Sequence, residues 1–191
     1  MGHMRNDKIF ALAIQETWKT GSRTATSGGF TVLHHGLTDK VCNRGSLGVA
    51  IVLGVEASKA WRRGGNQTIR FGNRIIAVRL TLLDDKGRKV NILFASAYAP
   101  DSGKTKEVID EFYMNLGALV DLCDANETLV CGADLNASVG IATSAAERKV
   151  VGSFGIDYRN AAGTRIFDFC DRNELRLATT FFRKRSFASW W

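Results

Sequence analysis

Two long runs of β-branched and apolar residues, separated by five residues, limit the fold of this chain more than any other part of its sequence. The runs cover residues 74–83 and 89–98, and each has the length and composition of a β-strand. The residues between them, Asp84-Asp85-Lys86-Gly87-Arg88, supply the aspartates and the glycine that favour tight turns. The pattern predicts a β-hairpin, so the sheet that contains it has at least one antiparallel pair.

Other apolar runs predict further strands and two helices. Residues 10–14 and 128–132 are short and almost continuously apolar, which is typical of buried strands. Beyond Pro100, Ser102 is a suitable N-cap for a helix over residues 103–124, whose apolar side chains recur at helical spacing. The remaining predicted elements are a strand over 47–53, a loop over 138–160, a helix over 163–172 and a strand over 175–180.

The order of these elements predicts an α+β protein in which helices and mixed β-sheets form a layered sandwich. The length of 191 residues suits one domain, and no internal repeat or low-complexity linker divides it. Met1-Gly2-His3-Met4 resembles an expression scar, so we expect the single domain to cover residues 5–191.

The charge of the chain favours a polyanionic partner. Its net charge is +7 and its pI is about 9.5, which favours nucleic acid, here DNA, over a small neutral substrate. Basic residues cluster at Arg62, Arg63, Arg70 and Arg74, and again at 183–185. Arginines next to glycines suit contacts with a phosphate backbone. A solvated basic loop without a ligand is the alternative interpretation.

Two further features concern the compartment of the protein. No apolar run reaches the roughly 18 residues that a membrane-spanning helix needs, and the start does not resemble a signal peptide. We therefore expect no membrane association and an intracellular location, nuclear or cytoplasmic. The four cysteines are far apart and form no C-x-x-C pair, which predicts buried reduced thiols: Cys42, Cys123, Cys131 and Cys170.

Polar side chains of one chemical kind follow three predicted strands. Glu16 follows the first strand, and Tyr98 closes the hairpin. Asp134 and Asn136 follow the strand at 128–132. In layered α/β proteins, side chains converge on ligands at strand ends, and these oxygen donors suit Mg²⁺ or Mn²⁺ better than zinc. Simpler interpretations are a solvated turn at Glu16, an Asx turn around Asp134 and ordinary sheet packing by Tyr98.

Several segments, in order along the chain, resemble motifs of the endonuclease/exonuclease/phosphatase superfamily. They resemble the metal-ligand segment, the following strand, the tyrosine motif and the Asp-x-Asn motif of its apurinic-type branch. In that order the segments are Ile14-Gln15-Glu16-Thr17-Trp18, residues 44–51, Ser96-Ala97-Tyr98-Ala99-Pro100-Asp101 and Gly132-Ala133-Asp134-Leu135-Asn136-Ala137. Residues 163–181 are similar to the helix and strand that follow in LINE-type retrotransposon endonucleases and in craniofacial development protein 2-like proteins.

The resemblance implies a DNase I-like sandwich and Mg²⁺-dependent hydrolysis of DNA, with Mn²⁺ as an alternative metal. By the resemblance, Glu16 would hold the metal. Asp134 would orient or deprotonate the attacking water with Asn136 beside it, and Tyr98 would donate a hydrogen bond to the phosphate. Two other functions remain open: a phosphatase acting on a lipid or inositol phosphate, and a catalytically inactive remnant that binds nucleic acid or protein.

The sequence also departs from the family's pattern. It has no match for an opening strand with an asparagine ligand, or for closing strands with an aspartate and a Ser-Asp-His segment. Its histidines are His3, in the predicted scar, and the pair His34-His35, which we expect to be exposed on the surface. We therefore expect an incomplete fold with unpaired strand edges and little endonuclease activity from this chain alone.

Overall fold

The computed structural model describes residues 9–37 and 47–183. The chain divides into two compact units, Met1–Asp134 and Leu135–Trp191. Four predicted features lie outside the described residues: the scar at 1–4, Cys42, the motif residues 44–46 and the basic residues 184–185.

The first unit contains two four-stranded sheets, of which the first is antiparallel throughout. Its strands are β1 (Ala11–Ile14), β2 (Ser22–Ser27), β3 (Phe30–His35) and β4 (Val49–Leu53), in the order β1-β4-β3-β2. Gly28 and Gly29 form the two-residue turn between β2 and β3. Both have positive φ angles, as a type I′ hairpin turn requires.

The second sheet contains the predicted hairpin and is mixed. Its strands are β5 (Thr68–Phe71), β6 (Ile75–Leu83), β7 (Lys89–Tyr98) and β8 (Glu127–Asp134), in that order. β6 and β7 are antiparallel, which confirms the hairpin, whereas β7 and β8 are parallel. In the hairpin turn, Asp84 Oδ1 accepts hydrogen bonds from the backbone N–H groups of Lys86 and Arg88 at 2.9 and 2.8 Å.

Two described helices belong to the first unit, α1 (Val55–Arg63) and α2 (Lys106–Asp121). The predicted helix over 103–124 is therefore too long at both ends. Its N-cap is Thr105 rather than Ser102. The reason lies at Asp101, whose carboxylate accepts a hydrogen bond from the backbone of Gly103, so that a turn occupies the first predicted helical residues.

The core of the first unit lies between the two sheets and under α1. Three groups of fully buried side chains meet there: Leu33, Val49, Ile51 and Leu53 from the first sheet, Ile76, Val78 and Leu80 from the second, and Ala57 and Ala60 from α1. Burial of this apolar surface is the main stabilising contribution to such a sandwich. The predicted α+β class is confirmed.

Two strands that were predicted as buried are half exposed. Leu12 in β1 is 40% exposed and Val130 in β8 is 42% exposed. Among the described strands, β1 and β8 are each the last strand on one side of their sheet, so neither is covered as a central strand would be. An apolar run alone does not distinguish a central strand from an edge strand.

The second unit contains α3 (Ala161–Arg172), which confirms the predicted helix, and two short 3₁₀ helices, Glu147–Lys149 and Ala178–Phe181. Asn160 caps α3, because its Oδ1 accepts a hydrogen bond from Gly163 N at 2.7 Å. The predicted strand over 175–180 is wrong. Thr180 instead uses its hydroxyl to accept a hydrogen bond from Gly152 N, which ties the 3₁₀ turn to the preceding loop. No helix among residues 9–37 and 47–183 is long and apolar enough to cross a bilayer.

The described cysteines are thiols, but only one matches the prediction of full burial. Cys170 is buried in the second unit, and burial raises the pKa of its thiol to about 11. Cys123 is half buried and Cys131 is exposed on the edge strand β8. The expectation of buried thiols therefore holds for Cys170 and is wrong for Cys131.

Candidate active site

The end of β1 is held against the second sheet by two polar side chains. Gln15 Nε2 donates to Ser96 Oγ at 3.1 Å and to the carbonyl of Gly132 at 3.0 Å. Ser96 Oγ donates to the carbonyl of Ile14 at 3.0 Å. Gly132 permits this approach, because a Cβ there would lie 2.5 Å from the Cβ of Ala13. These contacts fix the position of the residue that follows Gln15.

That residue is Glu16, and its carboxylate contacts Tyr98. The phenolic hydroxyl of Tyr98 donates to Glu16 Oε1 at 2.5 Å, although the two residues are 82 positions apart. Tyr98 is only 9% exposed, whereas Glu16 lies at the exposed end of β1. A short hydrogen bond to a carboxylate is among the stronger kinds in proteins. The structure therefore brings together two of the four predicted site residues.

Asp134 lies beside Tyr98 at the end of the neighbouring strand. β7 and β8 are parallel, and Tyr98 pairs with Asp134 in their register. Ala99 N also donates to the carbonyl of Asp134 at 2.8 Å. Paired residues on adjacent strands project to the same face of a sheet, so the Asp134 side chain shares the face from which Tyr98 reaches Glu16.

Asn136 is two residues further along the chain, in the second unit. Its φ angle is +46°, and that of Glu16 is +52°. Non-glycine residues rarely adopt this left-handed region, and such backbone strain is concentrated at functional sites. Three other described non-glycine residues, Trp18, Asn66 and Glu174, have φ angles of +57°, +56° and +55°, so positive φ is not confined to the predicted site.

Arg74 contacts the same tyrosine from the other side. Its Nη1 donates to the carbonyl of Tyr98 at 3.2 Å, and its guanidinium lies 5.4 Å from the centre of the Tyr98 ring. Arg74 is half buried, and burial lowers its pKa, an effect that nearby acidic groups oppose. The sequence predicted Arg74 as part of a DNA-binding loop, whereas the structure places it next to the strand-end site.

The other predicted DNA-binding arginines are not grouped with Arg74. Arg62 and Arg63 are exposed in the last turn of α1, and Arg63 Nε donates to the carbonyl of Thr81 at 2.9 Å. Thr81 is six residues along β6 from Ile75, which corresponds to roughly 20 Å. Arg70 is exposed in β5. The basic segment predicted as a loop is thus a helix end, a strand and a turn.

The histidine pair is buried, so the expectation of an exposed surface feature is wrong. His34 and His35 are each 8% exposed at the end of β3. The two ring nitrogens of His35 contact Ser22 Oγ at 2.8 Å and the carbonyl of Gly72 at 2.5 Å. His34 Nε2 contacts the carbonyl of Lys19 at 3.0 Å. Both rings thereby tie loop segments to the first sheet.

The described residues contain no cluster of the kind that holds a structural zinc ion. No group of three or more His, Cys, Asp and Glu side chains within the described ranges could hold a metal. A structural zinc site needs four such ligands, whereas Mg²⁺ uses one or two carboxylates and keeps several waters. Glu16 has an exposed carboxylate, and Asp134 lies in register with the tyrosine that contacts it.

Sequence reasoning missed two residues that build this site, Gln15 and Ser96, and grouped a third, Arg74, with arginines that lie elsewhere. Gln15 and Ser96 hold β1 in place, and Arg74 packs on Tyr98. A signal was present for the first two, because both lie inside segments that resemble family motifs. Contacts between residues 81 and 82 positions apart, however, become visible only in the folded chain.

The fold and the site describe a class: a two-sheet α+β protein with carboxylates and a tyrosine at the ends of three strands. In sequence, the chain is similar to craniofacial development protein 2. It is 31% identical to the protein from Tragulus javanicus over 108 residues, and 30% identical to that from Bos taurus over 114 residues. These matches cover 56% and 60% of this chain but 18% of each relative. No family model and no solved structure matches the chain.

Proposed function

We propose that this chain carries the catalytic centre of a Mg²⁺-dependent phosphodiesterase of the endonuclease/exonuclease/phosphatase superfamily, acting on DNA as retrotransposon-type endonucleases do. The observation that carries the proposal is the hydrogen bond from Tyr98 to Glu16, with Asp134 in register beside Tyr98. The net charge of +7 and the similarity to craniofacial development protein 2 support it. The chain spans about a fifth of the length of those relatives, and their names state no activity.

Each residue has a chemical task in this proposal. Glu16 and the face it shares with Asp134 would hold Mg²⁺, which supplies charge stabilisation for the departing oxygen. Asp134 accepts a proton from the attacking water, or orients it. Tyr98 has one hydroxyl proton, which Glu16 accepts in the structure. That proton becomes available to a phosphate oxygen when Glu16 has another partner.

A plasmid-nicking assay with Mg²⁺ or Mn²⁺ tests the proposal. We expect slow nicking from a sequence without a match for the Ser-Asp-His segment. The test therefore compares the nicking rate of each variant with that of wild type instead of relying on the absolute rate. Asp134→Asn and Glu16→Gln should each lower the rate by about 100-fold or more, as loss of one preorganised group commonly does. Tyr98→Phe should lower it by about tenfold or more.

Asp85→Asn is the matched control. Asp85 is an exposed carboxylate in the β6–β7 turn and should leave the nicking rate unchanged. Metal-dependent nicking that is equal in wild type and Asp134→Asn would contradict the proposed site. DNA binding without any nicking, in the presence of either metal, would instead favour the inactive binding remnant.

A further inference from the structure

A cleft of about 330 Å³ lies beside the candidate active site in the first unit. It is bounded by the β5–β6 turn, by Leu47 and by helix α2. Its apolar lining residues include Val108 and Phe112, of which Phe112 is 2% exposed. Ligand pockets in proteins commonly have volumes from about 300 Å³ and an apolar lining with a few polar groups.

The rim of this cleft carries polar side chains whose hydrogen-bonding capacity is largely unused. Within the described ranges, the side-chain amides of Asn73 and Asn115 have no hydrogen-bond partner, and Glu111 forms no ion pair. Arg74 uses one N–H on the Tyr98 carbonyl and has no carboxylate partner within ion-pair distance among those residues. The rim therefore offers both donors and acceptors to a ligand.

Gly72 keeps the mouth of the cleft open. Its φ angle is +51°, and a Cβ at this position would lie 3.2 Å from Asn115 Nδ2 and 3.7 Å from Glu111 Oε1. A side chain at residue 72 would thus occupy the space between the turn and two of the rim residues. The glycine therefore leaves Asn115 and Glu111 accessible at this opening.

The connection to the candidate active site is Arg74. Arg74 lines the cleft, and its guanidinium lies 5.4 Å from the centre of the Tyr98 ring. A cation at this junction is suited to a phosphate that lies between the cleft and the strand-end carboxylates. The cleft and the candidate active site are therefore adjacent parts of one surface.

We propose that the cleft binds a nucleotide of the DNA strand whose base carries an amino group, with guanine favoured. The inference rests on the proposed function, of which it specifies a substrate contact. A planar base can pack on apolar side chains, and the Glu111 carboxylate can accept hydrogen bonds from the N1–H and amino groups of a guanine that is flipped out of the duplex or unpaired. Thymine offers only its N3–H on the same edge. Asn73 and Asn115 complete the base contacts, and Arg74 contacts the phosphate.

Binding of mononucleotides to the full ¹⁵N-labelled chain tests this inference by NMR. Titration with dGMP should shift the side-chain amide signals of Asn73 and Asn115, and dGMP should bind about tenfold or more tightly than TMP. Glu111→Gln should remove most of that preference. Asn115→Leu should weaken the binding of both nucleotides, and inorganic phosphate should not shift the Asn115 signal.

Glu107→Gln is the control, because Glu107 is exposed on the same helix and does not line the cleft. It should bind dGMP as wild type does. The trinucleotide TpGpT should bind more tightly than dGMP if the ligand is part of a strand, and equal affinity would contradict that assignment.

Equal affinity for dGMP and TMP, or shifts confined to other residues, would overturn the inference. The two proposals fail separately. Preferential dGMP binding without Asp134-dependent nicking contradicts the proposed function alone, whereas nicking without a base preference in the cleft contradicts the nucleotide site alone.

Discussion

At the scale of single residues, Glu16 combines a functional group with an unfavourable backbone. Its φ of +52° lies in the region that side chains with a Cβ avoid, at a cost of about 1–2 kcal/mol. Its neighbour Gln15 differs in both respects, because it is not among the residues with positive φ and its side chain forms two hydrogen bonds. The two adjacent positions should therefore respond differently to the same substitution.

We predict that Glu16→Gly changes the free energy of unfolding by less than about 1 kcal/mol, since relief of the left-handed conformation offsets the lost contact with Tyr98. Gln15→Gly should cost about 2 kcal/mol or more, because it removes two hydrogen bonds and places glycine in an unstrained position. Urea unfolding of both variants measures the difference. Equal losses would mean that the backbone at Glu16 is not strained.

His34 gives the first unit a defined pH dependence. Burial lowers its pKa from the ordinary value of 6.5, the charges of Lys19 and His35 lower it further, and the Lys19 carbonyl acts in the opposite direction. The neutral ring is therefore favoured in the folded state. Its contribution to stability is present above pH 6.5 and is lost as the pH falls through the lower, folded-state pKa.

The prediction is that the free energy of unfolding falls between pH 7 and pH 5 more steeply in wild type than in His34→Gln. Glutamine retains an N–H donor for the Lys19 carbonyl and does not titrate. Denaturant unfolding at a series of pH values in constant salt provides the measurement. Parallel curves for the two proteins would show that His34 does not contribute to acid sensitivity.

At the scale of secondary-structure elements, the attachment of β1 to β7 depends on one buried hydroxyl. Ser96 is fully buried, accepts from Gln15 and donates to the Ile14 carbonyl. Ser96→Ala should cost about 1–3 kcal/mol in unfolding free energy, because it leaves buried polar groups without partners. It should also slow the proposed nicking by displacing Glu16.

Thr81→Val is the control for that prediction. Thr81 Oγ1 donates to Asn91 at 3.0 Å in the same sheet, but the pair is only half buried. Its loss should cost less than about 1 kcal/mol, since water replaces the lost partner. Thermal unfolding of both variants measures the two losses of stability. A smaller loss for Ser96→Ala than for Thr81→Val would contradict the role of Ser96 in attaching β1 to β7.

The elements differed in how far they could be predicted. The β6–β7 hairpin was predictable because its turn chemistry is local, at Asp84 and Gly87. The β2–β3 hairpin was missed although Gly28-Gly29 is a two-residue turn signal, because all six residues of β2 are exposed and carry no apolar pattern. Helix α1 was missed because the residues on its buried face, Ala57, Ser58 and Ala60, are small and do not form an obvious apolar stripe.

The site was predictable only in part, for a physical reason. Glu16, Tyr98 and Asp134 could be selected because each stands at a strand exit. The partner of each could not be selected, because partners are set by sheet order and packing rather than by neighbours in sequence. The same limit explains why Arg74 was assigned to a loop with Arg62 and Arg63.

At the scale of the whole molecule, the positive charge should control DNA binding through its distribution. Arg62 and Arg63 are exposed at the end of α1. If both contact phosphates, Arg62→Ala with Arg63→Ala should weaken DNA binding and make the plot of log K against log salt shallower by about 0.9 per contact, nearly two in all. Fluorescence anisotropy with duplex DNA, at salt concentrations between about 50 and 200 mM, measures this slope.

A control pair separates position from net charge. Arg148→Ala with Lys149→Ala removes the same charge from exposed residues of the second unit. The slope should then stay close to that of wild type. Identical slopes for the two double variants would show that binding follows net charge and not the surface at the end of α1.

The parallel pairing of β7 with β8 makes the site sensitive to chain length in some segments and tolerant in others. Loss of one residue within β8 would turn Asp134 to the opposite face and so separate it from Tyr98. The exposed turn Asp101–Lys104 lies in the connection from β7 through α2 to β8. Extra residues in this turn would leave the ends of both strands in place. Insertions and deletions should therefore accumulate between the two strands during divergence, while the lengths of β7 and β8 stay constant.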